Sequence, residues 1–160
     1  MVILFILDAQ MTLMIIIATR YTQQTSGDIP PQLTLFCSVV AAAADNSSYN
    51  IYIYGGYNGV RSNQSTSDDV YILSIPSFTW VKVYSGKSTH GRSGHKCVKV
   101  HPDQMFILGG SHQGNATMCL EGGIIQVLNL NSLKLQDSYS PTTWSEYNVP
   151  SLVTAQIGGK

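Results

Sequence analysis

Histidine and cysteine are the residues of this sequence best suited to metal or acid–base chemistry. They stand at positions His90, His95, His101, His112, Cys37, Cys97 and Cys119. None of the histidines belongs to an HExxH motif, and no two cysteines have the CxxC spacing of a zinc ribbon or a thioredoxin-like site. We therefore interpret the histidines as surface or structural residues, and we predict no metal site and no cofactor.

Three cysteines are an odd number, which excludes a fully paired intramolecular disulfide framework. Cys37 and Cys97 occupy corresponding positions in two similar predicted strands. We predict that both are small buried residues without a reactive role. Cys119 falls in a predicted loop, where either a disulfide or a free thiol is compatible with the sequence.

Other sites of chemistry are absent from the sequence. The segment Gly55-Gly56-Tyr57-Asn58-Gly59 lacks the Lys-Ser/Thr pair of a phosphate-binding loop, and it follows a predicted strand without opening a helix. No nucleophile elbow occurs. Nine basic and nine acidic residues cancel, and only 11% of the residues are charged, so we expect binding neither to nucleic acid nor to an anionic membrane surface.

The elements that must position these residues are β-strands, and residues 90–135 form one complete unit of four. Short apolar or alternating runs are separated by turn residues, and a double glycine ends the second run. The predicted strands are His95–Val100, Met105–Leu108, Ile124–Leu130 and Leu135–Tyr139, with Gly109-Gly110 after the second.

The same unit occurs once before in the chain. Gly55-Gly56 precedes Gly109-Gly110 by 54 positions, and Ile72 precedes Val127 by 55. Strands at a constant spacing, joined by loops of variable length, are typical of a structural repeat. The predicted strands of this first copy are Leu35–Ala44, Ile51–Tyr54, Val70–Ile75 and an outer, half-exposed edge strand Trp80–Tyr84. The first two of these strands are near-continuous apolar runs, so we predict that both of their faces are buried.

A period near 50 residues with a double glycine and a later Trp resembles the kelch repeat, from Gln32 to about Tyr139. The residue pattern of these segments is similar to that of fungal kelch-repeat proteins that are secreted or anchored at the cell surface. The resemblance implies an all-β fold, a partial kelch-type β-propeller with two four-stranded antiparallel blades and incomplete flanking strands. Its structural marks are Gly55, Gly56, Trp80, Gly109 and Gly110.

Two blades do not close a ring, because propellers typically have about 4–8. We interpret the chain as a fragment of a longer protein, which associates with further blades or with itself. The predicted divisions are an apolar segment 1–20, blades 21–84 and 85–139, and an extension 140–160 that contributes one closing strand.

The segment 1–20 leaves three alternatives open. It is the end of an incomplete preceding blade, a signal or membrane anchor, or an unrelated start. A membrane span would place Asp8 near its middle, at a cost of roughly 2.5–3.5 kcal/mol.

Loops on a rigid strand scaffold are where propellers hold partners, so we predict a non-catalytic module that binds an unidentified protein, or a cell-wall glycan. The predicted binding residues follow the glycine pairs: Tyr57, Asn58, Arg61, Asn63, His112 and Asn115. The alternatives are a fragment of a galactose-oxidase-like or other propeller enzyme, and a vestigial product that does not fold.

The resemblance implies a secreted or cell-surface location, with a cytoplasmic one as the alternative. Three glycosylation sequons, at Asn46, Asn63 and Asn115, fall in predicted loops.

Overall fold

The computed structural model of the protein describes residues 22–60, 65–84, 90–112, 123–136 and 138–158. Within these ranges the chain forms two β-sheets and one short helix. The elements are β1 (Ser26–Gly27), β2 (Cys37–Ala42), β3 (Tyr49–Tyr54), β4 (Val70–Ile75), β5 (Thr79–Tyr84), β6 (Lys96–His101), β7 (Gln104–Leu108), β8 (Ile125–Asn129), β9 (Lys134–Gln136) and α1 (Ser151–Ile157).

Strands β2 to β5 and strands β6 to β9 form two antiparallel meanders, here called blade 1 and blade 2. Tyr52 of β3 pairs with Val39 and Ile72 on its two sides. Phe106 of β7 pairs in the same way with Val98 and Val127. The matching pairs confirm the predicted all-β fold of a partial propeller with two blades.

The edge of the first sheet differs from the prediction. Strand β1 pairs in parallel with β5, so β5 is not the edge strand, and Trp80 is only 4% exposed. The Ser26 and Asp28 amides donate to the Phe78 and Trp80 carbonyls. The segment before blade 1 therefore satisfies backbone groups that an edge strand leaves open to solvent.

The main core lies between the two blades. Blade 1 contributes the inward side chains of β2, β3 and β4, and blade 2 contributes those of β7 together with residues at the end of β8. Strand β2 alternates, with Cys37, Val39 and Ala41 buried and the residues between them exposed. The prediction that this strand is covered on both faces was therefore wrong, whereas β4 is buried over nearly its whole length.

The end of the chain forms a helix where we predicted a closing strand. Pro150 stands at the N-cap of α1, and Gly158 ends it with a left-handed backbone conformation. Proline near the start and glycine just past the end are typical helix boundaries. Val153 of this helix and Tyr147 before it are buried in the main core, so the extension closes one end of blade 1 by packing and not by strand pairing.

The predicted segment 1–20 lies outside the described residues. In the part of the chain that the structure describes, no helix is both long enough and apolar enough to cross a bilayer.

Candidate binding surface

The two glycine pairs turn the chain out of β3 and β7 in the same way. Gly55 and Gly56 have φ of 67° and 89°, and Gly109 and Gly110 have φ of 67° and 90°. Residues with a side chain rarely adopt these values. A Cβ at Gly56 would also lie 2.7 Å from the Thr34 carbonyl oxygen, and one at Gly110 would lie 2.9 Å from that of Ser93. The glycines thus fix where the predicted binding loops begin.

One isolated backbone bridge anchors each loop directly after its glycines. Thr34 pairs with Tyr57 in blade 1, and Ser93 pairs with Ser111 in blade 2. Each bridge joins the start of the loop to the segment that leads into the first strand of the same blade. The two loops therefore leave their blades from equivalent places.

Both loops lie at one end of the molecule and touch each other. His112 Nδ1 lies 2.8 Å from the Gly91 carbonyl oxygen and 3.2 Å from Thr66 Oγ1. Because a carbonyl oxygen only accepts, Nδ1 donates its proton in the first of these bonds. The loop of blade 2 is thereby joined to residues at the end of the loop of blade 1.

A small cavity of about 180 Å³ opens beside the loop of blade 1. Two of the predicted binding residues, Tyr57 and Asn58, line it. The remaining lining residues are Pro31, Leu33, Ser65, Ser67, Asp69 and Tyr71. The predicted residues Arg61, Asn63 and Asn115 lie outside the described residues.

Arg92 lies shortly before β6, at the entry to blade 2, and its burial is not evident from the sequence. Its side chain is fully buried, and it donates hydrogen bonds to the carbonyl oxygens of Gly109 at 3.3 Å and Gly123 at 3.2 Å. Burial lowers the pKa of Arg92, although a guanidinium remains protonated in proteins. Arg92 therefore holds together the two ends of the loop that follows β7.

A disulfide between Cys37 and Cys97 links β2 to β6 across 60 residues, with their Cα atoms 5.4 Å apart. We predicted that both are small buried residues without a reactive role; Cys37 is buried, whereas Cys97 is half-buried, and the prediction did not include the bond between them. The matching pairs of Val39 with Tyr52 and of Val98 with Phe106 show that the position equivalent to Cys97 is Ser38. Because strand side chains alternate between faces, this offset of one residue turns both cysteines toward the contact between the blades.

His95 lies beside this disulfide and is 3% exposed. Its Nε2 lies 3.1 Å from the Tyr54 carbonyl oxygen, to which it donates. Burial lowers the pKa of His95 to about 4, against the raising effect of this hydrogen bond. His95 is therefore neutral at pH 7, as expected for a structural histidine.

A larger cleft, of about 830 Å³, lies at the opposite end of blade 1. It is formed between the β2–β3 and β4–β5 turns and the segment that leads into α1. Its walls include Asp45, Ser47, Pro76, Tyr147, Asn148 and Ile157. Sequence reasoning missed this cleft, because its three walls are far apart in the chain.

Comparison with known proteins agrees with the repeat geometry. A kelch repeat-containing protein of Arthroderma benhamiae is 34% identical over 163 residues, which cover 87% of this chain and 24% of that protein. The chain belongs to the kelch-repeat proteins. No protein-family model matches it.

Two further kelch relatives align with about half of the chain. Host cell factor of Drosophila melanogaster is 32% identical over 88 residues, 54% of this chain and 6% of its own length. Host cell factor 1 of Homo sapiens is 32% identical over 87 residues, again 54% of this chain and 4% of its own length. The kelch-repeat chain described here thus spans about a quarter of the fungal relative and far less of the host cell factors.

Proposed function

We propose that this chain is a non-catalytic kelch module that binds a protein partner through the loops after its glycine pairs. One observation carries the proposal: His112 of blade 2 and Thr66 of blade 1 meet at one end of the molecule. Loops held on a rigid strand scaffold are the usual place for binding residues. The cavity beside Tyr57 and Asn58 offers such a partner a recess for a side chain.

The alternative of a galactose-oxidase-like fragment has less support. That type of site needs a cysteine cross-linked to a tyrosine, and two of the three cysteines, Cys37 and Cys97, are bonded to each other. The described ranges bring together one group of three metal-ligating side chains, and it contains these same two cysteines. We therefore propose binding without catalysis.

A capture experiment tests the binding surface. The immobilised chain is exposed to an extract of its own organism, and the strongest protein partner is identified and titrated against purified variants. We expect the double variant Tyr57→Ala/Asn58→Ala to bind at least about tenfold more weakly, as is usual when central contact residues are truncated.

The matched control is the double variant Ser47→Ala/Asn148→Ala, which changes the cleft at the opposite end of blade 1. It should bind as the unmodified chain does. Loss of binding in this control, with retention in the Tyr57/Asn58 variant, would assign binding to the opposite cleft. Retention of isolated cell-wall polysaccharide in the absence of any protein partner would show a glycan ligand instead.

We also propose that the protein is secreted or held at the cell surface. Disulfides persist in oxidising compartments and are rare in the cytosol, so the bond between Cys37 and Cys97 supports this location. Asn46 of the Asn46-Ser47-Ser48 sequon is exposed in the β2–β3 turn, where a glycan has room.

Endoglycosidase treatment of the native protein tests the location. We expect its electrophoretic mobility to increase on treatment, and Asn46→Gln to remove part of that shift. Protein recovered only from the cytosol, with no glycan and with reduced Cys37 and Cys97, would contradict a secreted location.

A further inference from the structure

The contact between the two blades brings three metal-ligating side chains together, away from the proposed binding loops. Cys37, Cys97 and His95 each offer one atom, and these three atoms lie within 4.8 Å of one another. Two thiolate sulfurs and one imidazole nitrogen are a ligand set that zinc prefers. One of the three ligand atoms belongs to β2, and the other two belong to residues at the start of β6.

The strand pattern explains why the three side chains converge. His95 precedes β6 by one residue, and Cys97 is the second residue of that strand. Residues two apart in an extended chain point to the same side, so both face blade 1. Cys37, the first residue of β2, faces them from the other blade.

The hydrogen bonding of His95 leaves one ring nitrogen available. Nε2 is engaged with the Tyr54 carbonyl oxygen, whereas Nδ1 is buried and has no hydrogen-bond partner among the described residues. An unpaired buried polar atom is costly and calls for an explanation. Metal-bound histidines commonly donate their second ring nitrogen to a backbone carbonyl in this way.

We propose that Cys37, Cys97 and His95 form a redox-dependent zinc site that joins the two blades in the reduced protein. In the oxidised protein the two sulfurs are bonded to each other and bind no metal. In the reduced protein the two thiolates and His95 Nδ1 bind Zn²⁺, and water takes the fourth position. The half-buried position of Cys97 gives the ion and the water a path to the site.

The exchange between the two states balances with a dithiol as reductant. Two electrons from the dithiol break the Sγ–Sγ bond, two protons complete two thiols, and the dithiol becomes a disulfide. Zinc then displaces both thiol protons, since a thiolate is the form that binds metal. The link between β2 and β6 is kept in either state, by a covalent bond or by the ion.

Metal titration of the whole chain tests the site. The protein is reduced with a phosphine, which is then removed, and Co²⁺ is added as a spectroscopic probe before displacement by Zn²⁺. We expect one Co²⁺ per chain with intense thiolate-to-cobalt absorption, full displacement by zinc, and no such absorption in the oxidised protein. His95→Ala should weaken zinc binding by at least about tenfold, whereas the control His112→Ala should not.

A second measurement does not depend on the folding of any variant. In the reduced wild-type chain, zinc should protect Cys37 and Cys97 from alkylation by iodoacetamide, while Cys119 is modified at the same rate with and without zinc. Equal alkylation of Cys37 and Cys97 in both conditions would overturn the site. So would a cobalt spectrum without thiolate absorption, or cobalt bound equally by the oxidised protein.

Discussion

Gly55 of blade 1 and Gly109 of blade 2 have the same backbone φ of 67° but different surroundings. A Cβ at Gly55 would lie 2.7 Å from the Arg92 carbonyl oxygen and 2.8 Å from His95 Cε1, both in blade 2. A Cβ at Gly109 would meet no described atom within 4 Å. Each repeat therefore forms the same glycine turn by itself. The close approach of other atoms to Gly55 arises only where the two repeats pack together.

The first strands of the two blades show the same difference. Val39 and Val98 occupy equivalent positions, yet Val39 is 8% exposed and Val98 is 48% exposed. Blade 2 covers the face of blade 1 that carries Val39. The equivalent face of blade 2 is exposed at Val98, and the Tyr139 ring packs edge-on against Phe106, the strand partner of Val98. Within the ranges that the structure describes, blade 1 thus has a neighbouring blade on this side and blade 2 does not.

The comparison predicts the largest loss of stability for a substitution at Arg92. The equivalent residue in blade 1 is Leu33. Arg92→Met removes the two hydrogen bonds that the charged guanidinium donates to the carbonyl oxygens of Gly109 and Gly123. We expect a loss of about 3 kcal/mol in the free energy of unfolding. Denaturation by guanidinium chloride would measure this loss, provided that the variant and the unmodified chain have the same m-value.

The matched control is Leu33→Met. Leu33 is half-buried, and a swap that conserves volume at such a site should cost under about 1.5 kcal/mol. Equal losses in the two variants would show that Arg92 acts only by filling space.

The difference expected between the two glycine variants is smaller than the loss expected for Arg92→Met. Gly55→Ala and Gly109→Ala carry the same backbone strain, of about 1–2 kcal/mol, because their φ angles are equal. Gly55→Ala adds the clash with Arg92 and His95, so it should be the less stable variant by about 2 kcal/mol, within the range for overpacking. The midpoints of thermal unfolding of the two variants test this difference. Identical midpoints would show that the atoms of blade 2 around Gly55 move aside at no cost in stability.

The smallest effect is expected at the hairpin turns. Asp103, in the β6–β7 turn, is buried and accepts hydrogen bonds at Oδ2 from Asn129 Nδ2 and from the Ser145 amide and hydroxyl. Asp103→Ala should destabilise the protein by about 1–2 kcal/mol. Asp45, in the β2–β3 turn, is exposed and accepts only a local bond from the Ser47 amide.

For that reason Asp45→Ala should leave the denaturation midpoint almost unchanged. Hydrogen exchange of residues 139–148 gives a further test, since Asp103 ties this segment to blade 2 and its amides should lose protection only in Asp103→Ala. If the two aspartates proved equally dispensable, the turn of blade 2 would have no special anchoring role.

The meanders and the glycine pairs were predictable from the sequence because their signals are local. Alternation of side chains, turn residues and left-handed glycines are each settled within a few residues. The helix α1 was missed, although Pro150 and Gly158 mark its two ends. Its length of seven residues, SLVTAQI, is too short to show a helical period.

The features between the blades were not predictable in the same way. The disulfide depends on an offset of one residue between β2 and β6, which a spacing of 60 residues conceals. Likewise, Arg92 is in a polar stretch of the sequence, and its burial follows from the packing of blade 2 against blade 1. Tyr57 and His112 follow the glycine pairs in the sequence and stay predicted binding residues, but the contact of His112 with Thr66 is visible only in the tertiary structure.

The bond between Cys37 and Cys97 has a consequence for limited proteolysis. One residue of the pair precedes the connection between the blades and the other follows it. A single protease cut between Tyr84 and His90 therefore produces two pieces that still migrate as one species on a non-reducing gel. They separate only when a reducing agent is added, so an intact band under non-reducing conditions is no proof of an intact backbone.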